Sequence, residues 1–290
     1  MYTMKIFHSK VKKEAIAVGL LKILSWNIFM LPHLSFVHKN RKRAALIAEN
    51  LISLEYDIIV FQEAFDWKAR KIISRLLINR YPYIYGPANN NSFSFRTNSG
   101  IWILSKLPLR KIDEIEYVNR TGIDAFARKG AVMFEGHLNG QKFQLIGTHL
   151  QAMGSDTVRH QQCSEIYDSL LNKYSEKDIP QIICGDFNIA SNETVNYNQM
   201  LNLMKAENGS VDGEFDVSYD EIGNQIAKRK NGRKYLIDYV LIRNSKLISN
   251  INRKISIIRH RTNDFITELS DHYGIEAIID FNAELRYSPL

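Results

Sequence analysis

Blocks of unbroken apolar residues alternate along much of this chain with stretches whose apolar positions recur every three or four residues. Residues 23–28 form the first block and read as a buried strand that reaches Asn27 at its polar end. Residues 39–54 have helical spacing: Ala44, Ala45, Ile47, Ala48, Leu51 and Ile52 share one face, and Arg41, Lys42, Arg43 and Glu49 lie elsewhere. Residues 57–63 predict a second strand that ends in Gln62 and Glu63. A helix follows over 67–79 with Ile72, Ile73, Leu76 and Leu77 inward. Residues 81–87 are extended and closed by a turn, and 88–99 are a polar loop with Phe93 and Phe95 partly exposed. Strands are expected over 100–105 and 112–118.

The next segments, 129–138 and 141–149, form a hairpin across Asn139-Gly140, a dipeptide suited to a type I′ turn. A helix over 157–174 leads to the block Gln181-Ile182-Ile183-Cys184-Gly185-Asp186-Phe187-Asn188. Residues 192–206 are helical, 207–232 irregular and charged, 235–243 a strand, 256–260 extended, and 275–281 a last strand. Strands separated by helices, then hairpins, then strands again describe a mixed α/β protein. Two sheets pack together with helices outside. No Pro/Gly/Ser-rich linker divides the chain, so a single domain is expected over 1–290, with its core at about 20–282.

Several strands end in polar residues: Asn27, Glu63, His149, Asp186 with Asn188, and Asp238. Loops converge at strand ends in α/β sheets, and ligand sites lie there. In the block at 181–188 a both-faces-buried strand meets a carboxylate and an amide two residues apart. If the extended conformation continues, both side chains lie on one side. They would suit a phosphate or a hard cation; an ordinary Asx turn is the alternative.

Composition narrows the partners. The formal charge is +7, and a basic surface favours phosphate-bearing partners: nucleic acid, anionic lipid or a phosphodiester. Cys163 and Cys184, the two cysteines, make neither a disulfide framework nor a zinc pattern and read as free thiols. No apolar run approaches a membrane span. The N-terminal lysines Lys5, Lys10, Lys12 and Lys13 precede a short apolar run, 15–21, without a small-residue cleavage site after it. This reads as a first helix or strand, so the compartment is open between cytoplasm and export with the signal absent.

The strand-end segments are similar to those of the endonuclease/exonuclease/phosphatase superfamily: Ser25-Trp26-Asn27, Phe61-Gln62-Glu63, Gly147-Thr148-His149, Gly185-Asp186-Phe187-Asn188, Leu236-Ile237-Asp238-Tyr239-Val240 and Ser270-Asp271-His272. The resemblance implies a four-layered α/β sandwich of the DNase I-like kind and metal-dependent hydrolysis of a phosphate ester. It implies Mg²⁺, with Mn²⁺ or Co²⁺ as alternatives, held by Glu63, Asn27 and Asp271. Mg²⁺ takes oxygen ligands and keeps waters, so one or two carboxylates suffice. His272 would take a proton from the attacking water, oriented by Asp238, while Asp186 orients the water. Asn188 and His149 would donate to the phosphoryl oxygens.

Further stretches resemble the bacterial neutral sphingomyelinases. Gln62-Glu63-Ala64-Phe65-Asp66 matches their Gln-Glu-x-Phe-Asp, and Thr148-His149-Leu150-Gln151-Ala152 with Ser155, Arg159 and Gln162 matches the segment after their first catalytic histidine. Asp124 and Lys129-Gly130 match an element near the phosphate site, where Lys129 would reach a phosphate with Asp124 holding its ammonium. A surface ion pair is the alternative. The implied substrate is a phospholipid diester at a membrane surface, sphingomyelin foremost, cleaved to ceramide and phosphocholine by a monomer. A nuclease like DNase I or the AP endonucleases is the competing reading, so nucleic acid stays open as a partner. Thr97-Asn98-Ser99 departs from the acidic residues of secreted members, which speaks against a peripheral metal site. No aromatic-tipped apolar hairpin is expected between Asp238 and His272, where the chain reads Asn252-Arg253-Lys254 and Arg259-His260-Arg261. The basic run Lys228-Arg229-Lys230, with Arg233-Lys234, reads as a solvated loop or a contact for anionic groups.

Overall fold

A computed structural model describes residues 19–31, 39–90, 96–263 and 265–282. The N-terminal lysines, most of the apolar run at 15–21, and Phe93 and Phe95 lie outside these residues. One sheet contains β1 (Leu20–Asn27), β2 (Ile58–Gln62), β3 (Tyr83–Tyr85), β4 (Trp102–Ser105), β12 (Ile248–Ser256) and β15 (Gly274–Phe281), in the order β12-β15-β1-β2-β4-β3. The other contains β5 (Leu109–Glu116), β6 (Gly130–Leu138), β7 (Gln141–His149), β8 (Gln181–Asp186) and β11 (Asp238–Arg243), in the order β11-β8-β7-β6-β5. Each sheet is antiparallel except for one parallel pair, β1 with β2 and β7 with β8. Two short ladders stand apart: β9 (Tyr219–Asp220) with β10 (Lys234–Tyr235), and β13 (Arg259–Arg261) with β14 (Ile266–Glu268).

The sheets bury their facing sides against each other through Ile23, Val60, Val132, Leu145, Ile182 and Val240. Helices α1 (Asn40–Ile52) and α2 (Trp67–Leu77) cover the back of the first sheet, where Ile47 and Ile73 meet Trp26 and Phe61. Helices α3 (Asp156–Ile166) and α4 (Thr194–Met204) cover the second, where Ile166 and Met200 join Met133 and Ile146. The result is the four-layered sandwich the resemblance implied. It also explains the unbroken apolar blocks, because a strand between two layers has no solvent face. Cys163 and Cys184 are both free and buried.

Local expectations needed correction in four places. Arg43, read as outward on its helix, is buried. Gly185, whose conformational freedom suits a sharp exit from the strand, instead lies within β8: a Cβ there would stand 2.3 Å from the Thr148 carbonyl oxygen, so close strand approach demands glycine. The polar segment Ile248–Ser256 is a full strand at the edge of its sheet, where Ile251, Arg253 and Ile255 alternate inward and the buried Arg253 interrupts the apolar pattern. The β13–β14 hairpin does carry an aromatic residue near its tip, the exposed Phe265, whose carbonyl accepts from Thr262 N at 2.9 Å.

Candidate active site

Pairing register assembles the polar strand ends. Parallel pairing sets Asn27 opposite Gln62 and His149 opposite Asp186; antiparallel pairing sets Asp238 opposite Asp186. Glu63 follows β2 in left-handed backbone, φ 53°, which few non-glycine residues adopt. The same sheet that holds Asn27 receives His272 from just before β15, and Trp26 Nε1 donates to the His272 carbonyl at 3.0 Å.

Asp186 is the hub. Its Oδ2 accepts from Asn27 Nδ2 at 3.1 Å and stands 3.5 Å from His149 Nε2 and 3.7 Å from His272 Nε2. His272 Nδ1 donates to Asp238 Oδ2 at 2.8 Å. That bond leaves Nε2, the ring's other nitrogen, facing Asp186. The ring is held further by the Tyr219 ring, 4.8 Å away between centroids, and by Ser270 Oγ, which accepts from His272 N at 3.2 Å. Asp238 itself is fixed by its backbone N–H, which donates to Ser218 Oγ at 3.1 Å.

The second half of the site centres on Lys129. It is buried, with its Nζ donating to the Leu150 carbonyl at 2.9 Å and standing 3.1 Å from His149 Nε2 and 3.2 Å from Asp124 Oδ1. Asp124 in turn accepts from Ala152 N at 2.6 Å. A side chain exposed to only 6% is not part of a surface ion pair, so that alternative is excluded. An ammonium can only donate, so His149 Nε2 accepts from it and the imidazole proton sits on Nδ1. That Nδ1 is buried without a partner. Asn188 departs from expectation: β8 stops at Asp186, Asn188 turns left-handed at φ 52°, and its N–H donates to Asp186 Oδ1 at 3.0 Å. The Asx turn and the site coexist, because the turn is what aims the Asn188 amide at the Leu150 carbonyl, 3.3 Å away.

Charge crowding shapes the protonation states. Desolvation, then the neighbouring Asp271 carboxylate, pushes Glu63 up to about 7. Desolvation, then Asp238, pushes Asp186 up to about 6. Desolvation also raises Asp271. Burial works to lower His272, but the Asp238 and Asp186 carboxylates outweigh it and hold the imidazolium well above its usual range. His149 is lowered well below its own by burial, with Lys129 adding to the effect.

This crowding suits a divalent cation. Glu63 Oε2 is sealed from solvent and has no hydrogen-bond partner, and such an oxygen beside Asp271 is what a hard cation requires. Donor atoms of Asp186, Asp238 and His272 also lie within 4.8 Å of one another, a spacing an ion would accept. Asp238 Oδ1 in that group is, like Glu63 Oε2, buried without a partner, so both groups offer a cation a carboxylate oxygen that has no hydrogen bond to give up.

All ten residues singled out from the sequence gather in this one region. Two neighbours gave no sequence signal. Arg43 donates to the Ile28 carbonyl at 2.9 Å and the Leu269 carbonyl at 2.7 Å, and its charge faces Asp271 and Glu63. Tyr219 comes from a segment read as irregular. Neither has a motif around it; each reaches the site only through tertiary contact.

Residues 24–272 match the profile described as the Endonuclease/Exonuclease/phosphatase family. The chain belongs to that family. It is 30% identical to a sphingomyelinase C of Leptospira interrogans over 89% of this chain and 51% of that protein. It is 28% identical to a phospholipase C of Staphylococcus aureus over 76% of this chain and 72% of that protein. The chain thus spans about half the length of the Leptospira relative. Its fold is similar to the crystal structure of a beta toxin variant from Staphylococcus aureus with bound magnesium ions: TM-score 0.79, 25% identity, covering 89% of this chain and 99% of that one.

Proposed function

We propose that this member of the family hydrolyses a phospholipid phosphodiester, sphingomyelin foremost, with Mg²⁺ as the cation. The observation that carries the reading is the line Asp238–His272–Asp186 beside a sealed, unpartnered Glu63 oxygen. The names of the relatives, a sphingomyelinase and a phospholipase, support the choice of a lipid over nucleic acid. No helix of the described residues is long and apolar enough to cross a membrane, so the lipid would be met from outside it.

Glu63, Asp271 and Asn27 would hold the cation, which would supply a Lewis acid for the phosphoryl oxygen and offset the local negative charge. His272 Nε2, which faces Asp186, would take a proton from the attacking water. Asp238 keeps Nδ1 occupied and so fixes the tautomer. Asp186, on the Nε2 side, orients the water. Lys129, positioned by His149 Nε2, and the Asn188 amide would stabilise the charge that develops on phosphorus-bound oxygens.

The test is phosphocholine release from sphingomyelin with Mg²⁺, beside a plasmid-nicking assay. Release that stops with EDTA and with Glu63→Gln supports the proposal. Release that persists in EDTA, or nicking in place of lipid cleavage, overturns it.

A further inference from the structure

Away from this pocket, the first turns of α1 and α2 contain no acidic residue, yet both are rich in cations. Arg43 and Arg70 bond backbone carbonyls of the loops beneath the helices, whereas Arg41 and Lys68 stand at helix N-termini, where a cation opposes the helix dipole. Arg41 of α1 and Lys68, Lys71 and Arg75 of α2 line one groove of about 450 Å³, together with Trp67 and Leu76. Its lining includes no carboxylate. Lys68, Lys71 and Arg75 fall on one helical face, and Lys68 Nζ lies 5.5 Å over the Trp67 ring. Trp67 is 59% exposed and Leu76 44%, and both lie on this one groove.

The groove begins at the catalytic end of the fold. Asp66, three residues past Glu63, caps α2 by accepting from Lys68 N at 2.9 Å. Its other oxygen accepts from Asn40 Nδ2 at 3.2 Å, which ties the start of α1 to the start of α2. Arg75 and Leu76 lie about 12 Å further along α2. The groove thus starts three residues past Glu63 and runs along α2 as a band of cations, tryptophan and leucine.

We propose that the α1–α2 groove docks the protein on an anionic phospholipid bilayer. Charge complementarity calls for phosphate or carboxylate groups. The exposed indole suits the boundary between head groups and acyl chains, where Trp is favoured. The lysine and arginine stems can lie along apolar surface while their charges reach the head groups. Leu76 and the half-buried Ile72 add aliphatic surface, which favours a bilayer over a nucleic-acid backbone. The choice of a lipid surface rests on the phospholipid reading of the active site; the groove and its charge do not.

The test is co-sedimentation with phosphatidylcholine vesicles, with and without phosphatidylserine, at low and high salt. Each basic residue near such a surface is worth about fivefold in affinity. Lys71→Gln with Arg75→Gln should therefore weaken binding to the serine-containing vesicles by about twenty-five-fold, and high salt should remove the difference. Trp67→Ala should weaken binding at both salts. The Lys71/Arg75 variant should keep the wild-type melting temperature and its rate on a soluble phosphorylcholine ester. Sedimentation needs no turnover, so an inactive wild type that still binds anionic vesicles refutes the catalytic reading and supports this one. Equal vesicle binding by variant and wild type overturns the docking proposal. So does a wild type indifferent to phosphatidylserine, or a variant that loses duplex DNA but not vesicles.

Discussion

Replacing Glu63 with Gln should make the metal-free protein more stable while abolishing turnover. The carboxyl of Glu63 rises from the ordinary 4.5 to about 7 on folding. A group raised in this way favours the folded state below its unfolded value and loses that contribution as pH climbs through about 7. At about 1.4 kcal/mol per tenfold change in proton affinity, ionised Glu63 costs on the order of 3 kcal/mol in the folded protein above that pH. Gln is neutral and close in shape, so at pH 8 without metal it should melt about 5 °C higher than wild type for a chain of this length. At pH 5 the gap should nearly close, because wild-type Glu63 is then protonated. Magnesium should raise the wild-type melting temperature at pH 8 and leave the variant nearly unmoved, since binding to the folded state alone stabilises it. Scanning calorimetry at the two pH values, with Mg²⁺ and with EDTA, reads all of this. A variant less stable than wild type at pH 8 in EDTA would refute the reasoning. So would a gap that persists at pH 5, or equal stabilisation of both proteins by Mg²⁺.

His272→Ala should lower kcat for phosphodiester cleavage by about 10²–10⁴ with the far-UV spectrum unchanged; a wild-type rate ends the role of His272 as base. Lys129→Ala should lower kcat/KM by roughly 2–4 kcal/mol in transition-state terms. It should also lower unfolding free energy by about 1–3 kcal/mol, because Asp124 and the Leu150 carbonyl lose a buried donor; unchanged kinetics would confine Lys129 to structure. Arg43→Lys should destabilise by about 3 kcal/mol or more, since one ammonium cannot reproduce a guanidinium whose Nη1 serves the Ile28 and Leu269 carbonyls while its Nη2 serves Asn40 Oδ1. Denaturant melts would decide it, and a neutral result would remove Arg43 as the brace between α1 and the site.

The sequence by itself determined the buried central strands of the sandwich and the residue types at their ends. Blocks such as Ile58–Phe61 and Ile182–Cys184 are apolar on both faces, which only a strand between two layers tolerates. A polar residue directly after such a block, Glu63 or Asp186, stands out against its neighbours, and that contrast is readable in one dimension. Features set by partners far along the chain were not readable. The strand at Ile248–Ser256 hides its alternation because Arg253 holds the inward position between Ile251 and Ile255, where it donates to the Val240 carbonyl. Arg43 looks like the other basic residues of α1, and only the carbonyls of residues 28 and 269 distinguish it. Lys129 could have been a surface ion; burial and the contact with His149 decided otherwise. The left-handed turns at Glu63 and Asn188 likewise sit at strand ends that parallel pairing within each sheet holds in place. Residue type announces which groups can do chemistry, while register and burial set which atoms they face and which proton they hold.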